Sequence, residues 1–328
     1  MPLRNGLYGM NKERLRVQTE SQAIQPDPRV IEAVEALSNR RPALVPLLAA
    51  FGGLLAHKAA LAERLADSIP QGAVCVDPAR LAQGVPLLAG ADLSALREAL
   101  NEAVVVFLPL LAEAFPALNI ELSHVAVGLD HPDQERADVA ALARHLLDGN
   151  EEALAQAAEG MNVPAGVLVF ALRGVLGPVL AAVDESVRAR MAGITWTKGF
   201  CPVCGSLPGL AALSKVGDLG SEFLRGGGGQ KHLHCSLCGH DWRIARGMCP
   251  VCENSDKDQR EYFRVEGEAV EKVDICLKCG LYVPCVDLRE LDGEPPLEVL
   301  SLGMAHLDIL ARQKGYRPAA WLPWNQID

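Results

Sequence analysis

Cys201-Pro-Val-Cys204-Gly, Cys235-Ser-Leu-Cys238-Gly, Cys249-Pro-Val-Cys252-Glu and Cys276-Leu-Lys-Cys279-Gly punctuate residues 201–280, and their reading decides the fold of this half of the chain. Two thiolates separated by two residues can hold one metal ion from a single tight turn. A glycine after the second cysteine lets the backbone turn so that amide N–H groups face the sulfurs. Three of the four pairs carry that glycine, and two have proline after the first cysteine, which pre-sets the turn. Each turn supplies half of a tetrahedral four-sulfur site.

Four pairs make two sites. Sequential pairing joins Cys201 and Cys204 with Cys235 and Cys238 across 30 residues, and Cys249 and Cys252 with Cys276 and Cys279 across 23. Each span suits a β-hairpin that brings two turns together, as in zinc ribbons and rubredoxin. The interleaved alternative, a cross-braced module, stays open but needs more crossing connections. A thioredoxin-like redox role would need a strand-to-helix setting, and no βαβ pattern surrounds any pair. Four sulfurs accept zinc or iron alike. Two cysteines fall outside the pairs: Cys285, in a strand-like run, and Cys75 both read as apolar core residues. His232, His234 and His240 flank the second pair, but four thiolates already close a tetrahedron, so they read as exposed or supporting residues. His57 and His145 lie on helices with no identifiable partner. No catalytic Ser-His-Asp set or nucleotide fingerprint is present, and the run Gly226–Gly229 lacks the Lys-Ser/Thr ending of a phosphate loop.

The chain has 328 residues, 49% of them hydrophobic and 22% charged, a globular composition sized for two or three domains. Its formal charge is −10. Residues 190–328 hold 16 Lys and Arg against 18 Asp and Glu, a net of −2, so −8 falls on the N-terminal part. That balance disfavours a nucleic-acid partner and suits a basic peptide. The polar opening, residues 1–20, lacks the apolar core of a secretory signal, and the expected location is the cytoplasm. Ten cysteines in that compartment are not a disulfide framework. Val163–Val183 is long enough to suggest a membrane span, and no other stretch competes. Arg173 at its middle and the interruption at Gly177–Pro178 favour a buried bundle helix with a break there.

Before residue 190 the pattern is Ala- and Leu-rich and helical. Asp27-Pro28 starts a helix, and Pro42 and Pro46 divide it from a second that runs to Ile69. Further helices are expected from Asp92 or Ser94 to Phe115, from Gln134 to Leu147, over Glu151–Glu159 and as a pair over Pro164–Arg190. At Trp196–Phe200 helical periodicity stops and short β-type runs begin, at Trp242–Ile244, Tyr262–Val265 and Ala269–Val270. A last amphipathic helix runs from Pro296 to Lys314, stopped by Gly315, and the tail places Trp321 and Trp324 in a crevice. The expected organisation is an α-helical domain over residues 1–195 and four-cysteine modules over 196–247 and 248–294. A C-terminal helix and tail complete it over 295–328. The fold class is thus an α-helical bundle followed by tandem rubredoxin-like or zinc-ribbon-like modules.

Several residues point further. Leu233-His234-Cys235-Ser236-Leu237-Cys238, then Asp241-Trp242-Arg243, then Cys249-x-x-Cys252-Glu253, preceded by Cys201-Pro-Val-Cys204-Gly-Ser206, resemble the FdhE family of formate dehydrogenase accessory proteins. Gly315-Tyr316 after an amphipathic helix is also similar. The resemblance is specific over residues 198–317 and rests on layout alone before them. It implies a cytoplasmic assembly factor rather than an enzyme, with a rubredoxin-like metal region held by these eight cysteines. The partner it implies is the catalytic subunit of respiratory formate dehydrogenase, bound before export by the twin-arginine route. Glu253 after the third pair and the extra Cys285 leave the eight ligands unchanged. The competing readings are a zinc-ribbon nucleic-acid binder and a rubredoxin-like electron carrier or redox switch.

Overall fold

The computed structural model describes residues 24–70, 72–129, 138–214 and 229–325. The expected lead-in before residue 24, the start of a helix at Gln134 and the glycines 226–228 lie outside them. The N-terminal helices are α1 (Pro28–Arg40), α2 (Val45–Ala66), a short α3 (Pro78–Ala82), α4 (Arg97–Ala114), α5 (Asn119–Leu129), α6 (Val139–Asp148), α7 (Glu151–Met161) and α8 (Ala165–Met191). Asp27 caps α1 by accepting from the Arg29 N–H at 2.8 Å, with proline in the first turn. α5 had no counterpart in the sequence reading, because its run Asn-Ile-Glu-Leu-Ser-His-Val-Ala-Val-Gly-Leu presents no clear polar face.

α8 is one uninterrupted helix through Pro178, not the broken pair expected. Proline removes one intrahelical hydrogen bond, but α8 is buried along most of its length between α2, α4 and the metal-bearing half, and that packing outweighs the loss. Among the described residues, two helical stretches are long and apolar enough to cross a membrane, Pro42–Ala66 as well as Ala165–Met191. The expectation of a single candidate is therefore corrected. Of the most apolar 18-residue windows, 39% and 67% are buried inside the protein.

The second half builds one sheet from β1 (Pro208–Ser214), β2 (Gln230–Cys235), β3 (Asp241–Ile244), β4 (Arg260–Phe263), β5 (Glu271–Cys276), β6 (Leu281–Asp287) and β7 (Arg317–Pro318). Its order is β3-β2-β1-β6-β5-β4, with β7 on β6. Each four-cysteine unit repeats one plan: a cysteine turn, a strand, a second strand ending in cysteine, another cysteine turn and a third strand. Within a unit the pairing is antiparallel. The units fuse where β1 runs parallel to β6, Ala211 opposite Cys285 and Leu213 opposite Asp287. So the two modules are not beads on a string but halves of one sheet.

Both faces of that sheet are covered, which explains the unbroken apolar run Leu210–Leu213. Ala211, Leu213, Val283 and Cys285 face the core shared with the helical bundle. Leu210, Ala212, Tyr282 and Val286 face a second core built with α9 (Leu297–Gly303) and α10 (Ala305–Gln313). These two replace the single C-terminal helix expected. The chain turns at Met304, where α9 fits Gly303 against Leu37 so closely that a Cβ would stand 2.7 Å from that side chain. Gly315, at φ +86°, ends α10 as predicted.

Ion pairs tie the parts together. Lys231 on β2 and Asp274 on β5 meet at 2.6 Å, both largely buried, and so bridge the two units across β1 and β6. Removing one partner of such a pair costs about 3–5 kcal/mol, because the other charge is left unpaired. Arg41 at the end of α1 reaches Glu271 of β5 at 2.7 Å. Asp184 of α8 meets His240 beside the second cysteine turn at 2.6 Å.

Candidate metal centres

In each group of four cysteines, Cys201, Cys204, Cys235, Cys238 and Cys249, Cys252, Cys276, Cys279, the sulfurs all lie within 4.8 Å of one another. The fold thus adopts the sequential pairing. Facing sulfurs are 3.5 Å apart for Cys201 and Cys238 and 3.4 Å for Cys204 and Cys235. In the second group they are 3.8 Å for Cys249 and Cys279 and 3.6 Å for Cys252 and Cys276. A tetrahedron of metal–sulfur bonds of about 2.3 Å has edges of roughly 3.8 Å, so both groups match its size. A disulfide, at about 2.05 Å, they do not match.

The turns show why these sequences make such sites. Gly205 N–H donates to Cys201 O at 2.9 Å, Glu253 to Cys249 at 3.0 Å and Gly280 to Cys276 at 2.8 Å. Each turn then needs a left-handed residue, supplied by Gly205 (φ +79°), Gly239 (+75°) and Gly280 (+70°). Glu253 holds the same position at φ +55° despite its side chain, which lies 3.2 Å from Lys198. The backbone N–H of Leu237 points at the Cys235 sulfur from 3.4 Å.

Electrostatics makes the first group hard to leave as free thiolates. All four of its cysteines are buried, and burial pushes the Cys201 and Cys238 thiols well up, while at Cys204 hydrogen bonds from the neighbouring thiols outweigh burial and hold it well down. In the second group Cys252 and Cys279 are only half-buried. There burial, reinforced by the Cys249 charge, pushes Cys279 up to about 12. Burial acts on Cys276 in the same direction, but the Cys279 backbone N–H and the neighbouring thiols outweigh it and bring Cys276 to about 7. Four sulfurs so close can ionise together only around a cation. The donor set, spacing and turns therefore fit a tetrahedral zinc or iron ion in each group. When bound, such an ion cross-links two turns and, as iron, adds a one-electron centre.

Surrounding residues are unequal. Arg173 of α8 donates to the carbonyls of Ser236 at 3.4 Å and Trp321 at 3.2 Å, and its guanidinium stands 5.1 Å from the Trp321 ring. Burial lowers its pKa while the charges of Cys235 and Cys204 oppose that effect. Arg173 is thus a cation beside the first four-cysteine group. The sequence displayed it as a charge in an apolar run, but gave no sign of what it faces.

The flanking histidines differ. His232 meets Ser214 Oγ at 3.2 Å. His234 is buried, with Nδ1 2.8 Å from Asp241; burial works against its proton, yet the Asp241 and Glu298 carboxylates hold its pKa up at about 9. His57 bonds the Gly53 carbonyl and His145 lies near Asn150, both on the helical half. Cys285 is buried as expected. Cys75 is exposed, contrary to expectation, because its neighbour Val74 takes the inward position. Of the tail tryptophans only Trp324 is buried, edge-on to Phe51 at 5.5 Å, while Trp321 is exposed.

No family model matches the chain. Among known proteins, the chain is similar to an FdhE homolog from Aquifex aeolicus, 27% identical over 216 residues, 64% of this chain and 68% of that protein. It is 32% identical over 128 residues to FdhE of Escherichia coli, a match covering 38% of this chain but only 37% of that protein. The crystal structure of FdhE from Pseudomonas aeruginosa superposes on 89% of this chain and 93% of that one, with a TM-score of 0.57 and 24% identity, a likeness of fold. By sequence along up to two thirds of its length, and by fold, the chain is similar to proteins named FdhE.

Proposed function

We propose that this chain is a cytoplasmic accessory protein in the maturation of respiratory formate dehydrogenase, and that it binds the catalytic subunit before twin-arginine export. The eight cysteines hold two rubredoxin-like iron or zinc ions that staple the fused sheet. What carries this reading is the pair of closed four-sulfur groups in a chain similar to FdhE proteins. Four protein ligands leave a metal no open position for substrate, so the sites suit scaffolding or electron storage rather than Lewis-acid catalysis. A formal charge of −10 also suits a partner whose export signal is basic.

The test is anaerobic co-purification of the tagged chain with the catalytic subunit, followed by elemental analysis of the complex. Retention of the subunit with two metal ions per chain is the expected result. Failure to retain it, together with unchanged formate oxidation in a deletion strain, would sink the proposal.

One observation favours a redox element within this role. Cys252 and Cys279 are half-buried, so the second site is the one within reach of oxidants. Reversible loss of iron colour on exposure to oxygen, confined to that site, would support it; zinc alone in anaerobically purified protein would remove it.

A further inference from the structure

Between α2, α4, α8 and the second cysteine turn lies a cavity of about 100 Å³. Its walls are largely apolar, with Phe51, Leu54 and Phe107 among them, and Trp324 of the C-terminal segment lines one side. Yet polar residues line it too. Among the described residues, five buried side-chain N or O atoms have no hydrogen-bond partner, and three of them, His234 Nε2, Ser301 Oγ and Trp324 Nε1, belong to residues that line this one cavity. The three residues are 8%, 3% and 7% exposed. His234 Nε2 stands 3.9 Å from the Glu298 carboxylate, beyond hydrogen-bond reach.

Buried donors without partners are costly, and their gathering around one space marks a ligand site more than a packing fault. The indole N–H can only donate, and the serine hydroxyl is free to do so, so the missing group is an acceptor. Lys58 and Arg173 line the cavity against one carboxylate, Glu298, which is ion-paired to Lys58. Arg173 bonds only carbonyls, so it is the cation left to meet an anionic acceptor, against the charge of the Cys235 thiolate that shares the wall. Since a water's share of liquid volume is about 30 Å³, the space is that of roughly three waters, too small for an aromatic ring plus a head group.

We propose that this cavity binds a small aliphatic carboxylate, its apolar body against Phe51, Leu54 and Phe107 and its oxygens toward Ser301 and Trp324. Cys235 lines the same cavity, so an occupant sits against a ligand of the first metal group. Binding there would report directly on the thiolate–metal bond.

The test titrates the full-length, metal-loaded protein with isobutyrate and with isobutyramide, its neutral counterpart. Two signals are followed: the Trp324 indole N–H resonance, assigned by its loss in Trp324→Phe, and the thiolate-to-metal absorption of the cobalt-substituted protein. Saturable shifts in both with isobutyrate are expected, with binding at least about ten-fold weaker for the amide and for Ser301→Ala, each of which removes part of a charge-assisted hydrogen bond. Ser301→Ala deletes a buried hydroxyl with no protein partner, so its thermal midpoint should not fall below the wild-type value and the loss can be assigned to the site. No saturable shift at concentrations on the order of 50 mM overturns the proposal. Equal binding of amide and acid, or an unchanged affinity in Ser301→Ala, overturns it too.

Discussion

Gly199→Ala should separate the two metal groups by force. Gly199 lies in the segment that enters the first cysteine turn, and its Cα packs on the backbone of Pro250, inside the third. A Cβ there would stand 1.9 Å from the Pro250 carbonyl oxygen and 2.3 Å from its Cα. Real Cβ contacts essentially never fall below 3.0 Å, so backbone must move by at least the difference, 3.0 − 1.9 = 1.1 Å. No flexible side-chain end is present to yield, and each flank is pinned by a cysteine, Cys201 on one side and Cys249 on the other. Overpacking of a rigid site costs about 1–3 kcal/mol, and the clash of backbone with backbone places this case at the upper end. A loss of about 3 kcal/mol lowers the thermal midpoint by roughly 6–12 °C on the scale of a 150–250-residue domain, and by somewhat less in a longer chain. The assay is thermal unfolding followed by circular dichroism, beside the rate at which a chromogenic chelator removes metal at 25 °C. Gly247→Ala is the control in the same module, since nothing lies within 4 Å of its Cβ position. A Gly199→Ala midpoint within 1 °C of the control, with unchanged metal release, would refute the claim that the two turns are in obligatory contact.

Three other outcomes are expected. Chelator should strip the second site, with its half-buried Cys252 and Cys279, before the first, giving two phases of metal release. Cys276→Ser should abolish the fast phase, and its loss of the slow one instead would reverse the assignment. Arg173→Gln should weaken metal binding at the first site by about 10–100-fold, as loss of an outer-shell partner does, measured by competition with a chelator of known affinity; an unchanged affinity would show that Arg173 serves only the tail. Asp308, 2% exposed, has its carboxyl pushed by burial from 3.8 up to about 7, against the pull of Tyr282 and Arg312. Its folded pKa lies above the unfolded one, so the stability tied to its proton is fully present below about pH 4 and is lost as pH rises through about 7, by roughly 4 kcal/mol at most. Asp308→Asn still accepts from the Tyr282 hydroxyl and should flatten that slope and stabilise the protein at pH 8. A urea midpoint that stays pH-dependent between 4 and 7 exactly as in the wild type would contradict this.

The eight cysteines were legible because their chemistry is local: a turn of four residues either can or cannot present two sulfurs, and spacing shows it. The cap at Asp27 and the stop at Gly315 were legible for the same reason. Fusion of the two modules was not. Parallel pairing of β1 with β6 joins residues as far apart as Ala211 and Cys285, and no periodicity within either strand announces its partner. Pro178 misled because a rule about isolated helices met a helix buried on most sides, and the division at Met304 is set by the fit of Gly303 on Leu37, a contact across the fold. The cavity residues gave least warning. Ser301 and Trp324 look like ordinary members of a helix and a tail until Lys58, Arg173 and His234 are brought beside them from three other elements.

That parallel junction also sets an order of events during synthesis. When the first hairpin and its cysteine turns have left the ribosome, β1 has β2 on one side, but its other neighbour, β6, is still to be made. For that interval the apolar run Leu210–Leu213 presents an unpaired edge and, toward the α9 and α10 still to be made, an uncovered face, the kind of surface on which nascent chains aggregate. Early capture of metal by Cys201, Cys204, Cys235 and Cys238 could hold that hairpin in register until β6 arrives. Metal supply would then govern how much chain reaches the folded state, as well as how stable it is once there.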